Sequence, residues 1–339
     1  MYREGTDVKA PWFLAALTYV GAVVGAGFAS GQEILRFFSR YGHNGMLGIV
    51  LVGFSFAGLG YLALERGRGG DISSFGDLLE SLYPPWLVRV AEGVTTAFLV
   101  VGLGVVASGG GSAIGQLGHT SRLFGAIITM GLIMAVTAWG SSAVTRANAV
   151  LVPYLIVMVC ALAVVNWFKP PGHPGLTEPG SVWLLSAFLY LSYNIFTGIV
   201  VLLGLGRTLR SRKQSVLAAI LGAAILVLLA LMEHHTLVRL EDPGPLPLVD
   251  VAIKTHLVWG MLFAGCLWVA LFTTGIAEAY ALYTQYGSRT LWLVAATGLF
   301  GLLGFDRLVQ ALYPAMGLVA VWLWIPLVYR RPRSRVPGG

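Results

Sequence analysis

The chain is 339 residues long, 57% of them hydrophobic and only 11% charged, with a mean hydropathy of +0.78. That excludes an ordinary soluble domain: the apolar residues come in blocks long enough to cross a bilayer, the pattern of a polytopic α-helical membrane protein. A net charge of +7 would suggest nucleic acid in a soluble protein, but here the basic residues sit in loops and at the tail. There they orient the chain in the lipid bilayer, and no nucleic-acid partner is expected.

Ten candidate spans fall at 11–40, 45–65, 85–111, 122–141, 145–168, 180–206, 214–236, 257–284, 289–305 and 308–329. The first carries Gly-Ala-Val-Val-Gly-Ala-Gly-Phe-Ala-Ser-Gly-Gln-Glu over 21–33, with four glycines (Gly21, Gly25, Gly27, Gly31) followed by Gln32 and Glu33. Glycine weakens a helix by about 1 kcal/mol relative to alanine. Backbone freed at membrane depth is tolerated where it is buried or lines a watery cavity, and broken helices build transporter binding sites. Taken alone, the Gly21/Gly25 and Gly27/Gly31 pairs fit close helix packing better than breakage. A dinucleotide fingerprint is weaker still, because no strand precedes the glycines.

Between the second and third spans, residues 72–85 place Phe75, Leu78, Leu79 and Leu82 at helical spacing, the pattern of a short amphipathic interfacial helix. A Pro/Gly-rich linker, Lys-Pro-Pro-Gly-His-Pro-Gly at 169–175, divides the chain. Cys160 and Cys266 lie inside apolar segments and read as small buried residues. The chain start shows no short apolar core followed by a cleavage site, so no cleavable signal is expected.

With the N-terminus inside, the cytoplasmic side carries fifteen of the 22 Lys and Arg residues, so both termini are expected in the cytoplasm of a cell-membrane protein. Ten spans divide five and five at the linker, giving halves 1–168 and 180–329 and a basic tail 330–339. An odd number per half forces the second to enter from the opposite face, the inverted-repeat plan of many transporters. In the sixth span, Ser192, Asn194, Thr197 and Gly198 stand at mid-membrane, where a polar side chain needs a partner; for Asn194, site and interhelical bond stand level.

This plan and the run Gly-Ala-Gly-Phe-Ala-Ser-Gly-Gln-Glu-Ile-Leu-Arg-Phe-Phe at 25–38 resemble the leucine-transporter fold of the amino acid–polyamine–organocation superfamily, and within it the YkvI-like membrane proteins. The resemblance implies an all-α fold of ten transmembrane helices, broken helices 1 and 6 holding the substrate, and helices 3 and 8 closing the pocket. In sodium-coupled members an ion sits between helix 1 carbonyls and helix 8 hydroxyls. Carried over by residue, that site is Gly21, Val24, Ala270, Thr273 and Thr274. Each threonine also fits the habit of bonding to the carbonyl one turn earlier. Proton-coupled relatives often use a lysine of helix 5, and the fifth span here has none; its basic residue is Arg146. Na+ is therefore the expected ion, with no organic cofactor.

Glu33, Glu92 and Glu278 are carboxylates in apolar surroundings, functional candidates by default. Glu92 reads as an end-of-span residue beside Arg89. Glu278, four residues beyond Thr274, is a gate or proton candidate. Glu33 opens the outer half of span one, where a helix start favours an acid and Arg36 can neutralise it; pairing there and holding a substrate amine or proton stand level. The substrate set expected around the break is Ala26, Gly27, Ser30, Gln32, Glu33, Thr96, Tyr190, Tyr193, Asn194 and Thr197. Phe196 faces the same region, and the run of glycines at 108–111 suggests a small pocket. Span three has no tyrosine to meet a substrate carboxylate, which weighs against an ordinary α-amino acid.

Residues 245–253 fall where the fold carries an outer lid, and Asp306 stands as an outer-gate partner for Arg36. The expectation is cation-coupled symport of a small organic solute such as an amino acid or amine. Proton coupling through Glu33 or Glu278, a non-transporting receptor and a channel are the rivals. An enzyme is not expected, for no metal cluster or nucleophile–base pair is seen; His234-His235 reads as a solvated pair at a loop edge.

Overall fold

The computed structural model describes residues 11–70, 75–139, 144–167, 182–240 and 243–329; the linker at 169–175 and the tail at 330–339 lie outside them. The first apolar segment is three helices, α1 (Pro11–Val23), α2 (Ala26–Ala29) and α3 (Gln32–Phe37), with a 3₁₀ turn at Ser39–Tyr41. It is followed by α4 (His43–Arg68), α5 (Phe75–Leu82), α6 (Pro85–Gly118), α7 (Arg122–Trp139) and α8 (Val144–Trp167). Then come α9 (Trp183–Gly206), α10 (Arg212–Leu237), α11 (Pro247–Thr255), α12 (Leu257–Tyr286), α13 (Arg289–Thr297), a 3₁₀ turn at Gly298–Leu302, and α14 (Phe305–Tyr329).

Among the described residues, five helices are long and apolar enough to cross a membrane: α4, α6, α10, α12 and α14, with shorter apolar stretches in α1, α7, α8, α9 and 289–302. Large apolar side chains cover the outside. Phe54, Trp292 and Trp322 are each more than 70% exposed, an arrangement that lipid satisfies and water does not. α5 is the amphipathic helix expected at 72–85: Leu78 and Leu79 are buried, Asp77 is half-buried and Glu80 is exposed.

Two groups of helices pack mainly within themselves. α1, α4, α9 and α10 form one; α6, α7, α12 and α13 form the other. α8 lies against α10 and α12, and α14 against α9 and α6, so each bridges the groups. Small residues let backbones touch within the first group: a side chain on Gly67 would strike the Leu203 carbonyl, and one on Gly206 the Leu64 carbonyl.

Two expectations are corrected here. The sixth apolar segment is not broken: α9 runs continuously from Trp183 to Gly206. Its polar side chains bond back to their own helix, Ser192 to the Phe188 carbonyl (2.7 Å), Asn194 to Tyr190 (3.1 Å) and Thr197 to Asn194 (2.9 Å). They take up helix carbonyls instead of leaving them open to a ligand. The glycines at 108–111 make no pocket either. α7 and its neighbours fill the space, with Thr129 against Gly110, the Arg122 carbonyl against Gly111, and Phe305 and Leu271 against Gly109.

Candidate functional site

The site grows from two interruptions in the first segment. At the end of α1 the Gly25 N–H turns to the Val23 carbonyl (2.9 Å), and Gly25 is extended (φ −94°, ψ −170°). Among the described residues, no backbone N–H is directed to the carbonyls of Gly21 or Val24. A side chain on Gly25 would meet nothing within 4 Å, so close packing does not explain this glycine; its poor helix propensity does.

The second interruption is at Gly31, left-handed at φ +84°. That conformation costs an L-residue about 1–2 kcal/mol, and a Cβ there would also sit 2.8 Å from Leu248. Gly31→Ala is expected to lower thermal stability by at least that strain, whereas Gly25→Ala should be neutral or stabilising, as melting curves of the two purified variants would show.

Ser30 stitches the second break, its hydroxyl donating to the Gly27 carbonyl (2.8 Å) and accepting the Gln32 N–H (3.3 Å). The segment at 245–253 docks on this corner as α11, with the Leu248 N–H donating to the Ser30 carbonyl (3.0 Å). The Gln32 amide donates to the carbonyls of Gly244 (3.0 Å) and Pro245 (3.1 Å), and Gln116 of α6 donates to Asp250 (2.9 Å). The expected lid therefore lies on the break, held by polar contacts to α3 and α6.

Glu33 is 3% exposed. The Tyr193 hydroxyl of α9 donates to its Oε2, and the Asn194 side chain and Phe28 backbone also reach the carboxylate. Gly27 makes room for it, since a Cβ there would collide with Oε1. Around it stand Tyr190, Phe37, Phe38 and Tyr313, with ring centroids of 4.8 Å for Phe38–Tyr190 and 5.0 Å for Tyr193–Tyr313. The structure thus gathers Ala26, Gly27, Ser30, Gln32, Glu33, Tyr190, Tyr193 and Asn194 in one buried cluster.

Other residues go elsewhere. Thr197 is exposed. Thr96 lies near Tyr286 (3.2 Å) and Gln285 (3.4 Å) at the end of α12, about three turns from Thr273. Arg36 makes no ion pair with Glu33 or Asp306 among the described residues. A tyrosine hydroxyl answers Glu33 instead, which corrects the expected pairing of Glu33 with Arg36. Glu92 is exposed, as an end-of-span residue should be.

On α12 the Thr273 hydroxyl donates to the Ala270 carbonyl (3.0 Å), and this helix packs on α2. One turn past Thr274, Glu278 lies against Gly102 of α6, where any side chain would strike its carboxylate; its Oε2 is buried without a hydrogen-bond partner.

The sequence reading passed over Glu233. It is fully buried on α10, neither carboxylate oxygen has a hydrogen-bond partner, and α10 packs on α3, which carries Glu33. The signal was present, since an acid in the apolar run 214–236 meets the same rule that singles out Glu33 and Glu278. The neighbouring histidines obscured it. They are not a solvated pair: His234 is buried and His235 stacks on Trp167 at 4.2 Å.

No family model matches the chain. It is 27% identical to the uncharacterized membrane protein YkvI of Bacillus subtilis over 340 residues, covering 94% of this chain and 96% of that one. It is 23% identical to YyaD of the same organism, covering 94% and 95%. Its fold matches inward-facing Mhp1 (TM-score 0.68, 15% identity, 94% of this chain and 75% of that one) and MhsT in complex with L-phenylalanine (0.62, 19%, 96% and 88%). A manganese transporter of Eremococcus coleocola also matches (0.64, 13%, 97% and 81%). The chain is thus similar to the membrane protein YkvI and to YyaD over nearly their whole length, and its fold is the leucine-transporter fold that these solved structures share.

Proposed function

We propose that this protein is a secondary active transporter that moves a small organic solute by alternating access, driven by a cation, with Na+ as the coupling ion. The observation that carries the reading is the doubly interrupted first segment, whose freed backbone and buried polar side chains lie under a docked lid. Interrupted helices at mid-membrane are how this fold builds its solute and ion sites. The packing of the helices into two groups supports rocking of α1, α4, α9 and α10 against α6, α7, α12 and α13.

In this reading the chain crosses the cell membrane ten times, with both termini in the cytoplasm, and the halves 1–168 and 180–329 form an inverted repeat. The ion is held by the carbonyls of Gly21, Val24 and Ala270 and the hydroxyls of Thr273 and Thr274. Two of these oxygens, on Gly21 and Val24, are free of backbone hydrogen bonds. Thr273 lies with its hydroxyl on the Ala270 carbonyl, and ion binding would turn it to the ion. The solute rests on Gln32, Glu33, Tyr193 and Asn194. A carrier requires no catalytic group, and the reading assigns none.

The test is thermal stability of the purified chain in NaCl and in KCl at equal ionic strength. A ligand that binds only the folded state raises apparent stability by mass action. Sodium-specific stabilisation is expected in the wild type and should vanish in the Thr273→Ala/Thr274→Ala double variant. Equal sodium response in both would remove the ion from this site. The buried Oε2 of Glu278, which has no hydrogen-bond partner, supports a second reading, proton coupling, in which stability would respond to pH and to Glu278→Gln but not to the choice of alkali cation.

A further inference from the structure

We infer that the solute is an organic ammonium ion, held between Glu33 and Glu233 across the α3–α10 contact, with Glu233 the charge-selecting residue. The inference rests on the transporter reading for what happens after binding, but not for the binding itself.

Three buried oxygens on α3 and α10 lack a donor: Oε1 and Oε2 of Glu233 and Oε1 of Gln32. These helices pack on each other, and Gln32 has already committed its amide nitrogen to the lid. An acceptor left unmet in a protein interior costs about 1–3 kcal/mol, more when charged. Glu233 is 0% exposed, so bulk water does not reach it. Among the described residues no ion pair joins an arginine, lysine or histidine to either carboxylate. Buried carboxylates are ordinarily paired, and the partner missing here is a donor-rich cation.

The surroundings favour an ammonium over a transition metal. Among the described residues no group of three His, Cys, Asp or Glu side chains is placed to hold a metal ion. The cluster is walled by Phe37, Phe38, Tyr190 and Tyr193, with Phe37 ring centroids 5.6 Å and 5.8 Å from the two tyrosines. Aromatic faces with carboxylates attract alkylammonium ions through cation–π contact and charge-assisted hydrogen bonds. An ammonium brings three donors and no acceptor, which suits three oxygens that lack donors.

The experiment is a thermal-shift and calorimetric titration of the purified full chain with methylammonium, n-butylammonium and 1,4-diaminobutane, against 1-butanol and NaCl. At least one of the amines should stabilise the wild type while 1-butanol does not. Glu233→Gln should weaken binding of that amine at least tenfold, and Glu233→Asp should restore part of it. Glu233→Gln keeps the size and shape of the side chain while removing its capacity for negative charge, so the variant is suited to the assay. A wild type indifferent to all three amines, or a Glu233→Gln variant that binds them unchanged, overturns the inference. Uptake into proteoliposomes separates the two readings. An amine bound but never carried keeps the ammonium site and removes transport; carriage of a neutral or anionic solute unaffected by Glu233→Gln does the reverse.

Discussion

Gly27→Val should weaken solute binding by tenfold to a hundredfold or more while Gly25→Ala leaves it nearly intact. The two glycines are two residues apart in the same short segment, and helix propensity treats them alike. Their surroundings differ. A Cβ on Gly25 meets no atom within 4 Å, whereas one on Gly27 collides with the Glu33 carboxylate. Valine there would drive Glu33 from the Tyr193 hydroxyl and from the face of α2, leaving a buried carboxylate and a buried phenol unmatched. Lost hydrogen bonds in the interior cost about 1–3 kcal/mol each, so a binding loss of tenfold to a hundredfold or more is expected. Calorimetry with any solute that binds the wild type, run beside melting curves, checks it. Equal affinity in the two variants would take Glu33 out of the site.

The second large effect is expected at the Glu33–Tyr193 bond. Glu33→Ala should bring uptake to background and destabilise the protein by about 1–3 kcal/mol, because the Tyr193 hydroxyl loses its acceptor. Glu33→Gln keeps an oxygen for that hydroxyl, so it should lose uptake with a smaller loss of stability. Tyr193→Phe removes the donor and should give an intermediate loss of both. The ordering separates a carboxylate that meets the solute from one that only ties α3 to α9. If Glu33→Gln and wild type take up solute alike, the carboxylate is a tie.

Membrane architecture was legible in the sequence because its signals are local: apolar runs of bilayer length, their charged ends, and the amphipathic spacing that became α5. The broken first segment was legible from Gly25 and Gly31 together with Gln32 and Glu33, and the lid from its position between two spans. The break expected in the sixth segment came by analogy with the first. Asn194 and Thr197 do not mark a break, because each can satisfy itself on a helix carbonyl, and only coordinates show that they do.

Pairings between distant elements were the least legible. Arg36 is three residues from Glu33, which suggests an ion pair, yet the partner of Glu33 is a tyrosine 160 residues away. Glu233 illustrates the opposite failure. It lies beside the two histidines that read as a loop-edge pair, although the helix continues to Leu237 and buries it.

The most direct test of the central claim is the current of reconstituted proteoliposomes on a solid-supported membrane under an inward sodium gradient. The protein would be challenged with rapid jumps of mixed small amines and amino acids. The account predicts a transient, solute-dependent current that falls when the sodium gradient is removed and disappears in Glu33→Ala. A steady conductance far above carrier turnover, or tight solute binding that never yields current or uptake, would contradict it.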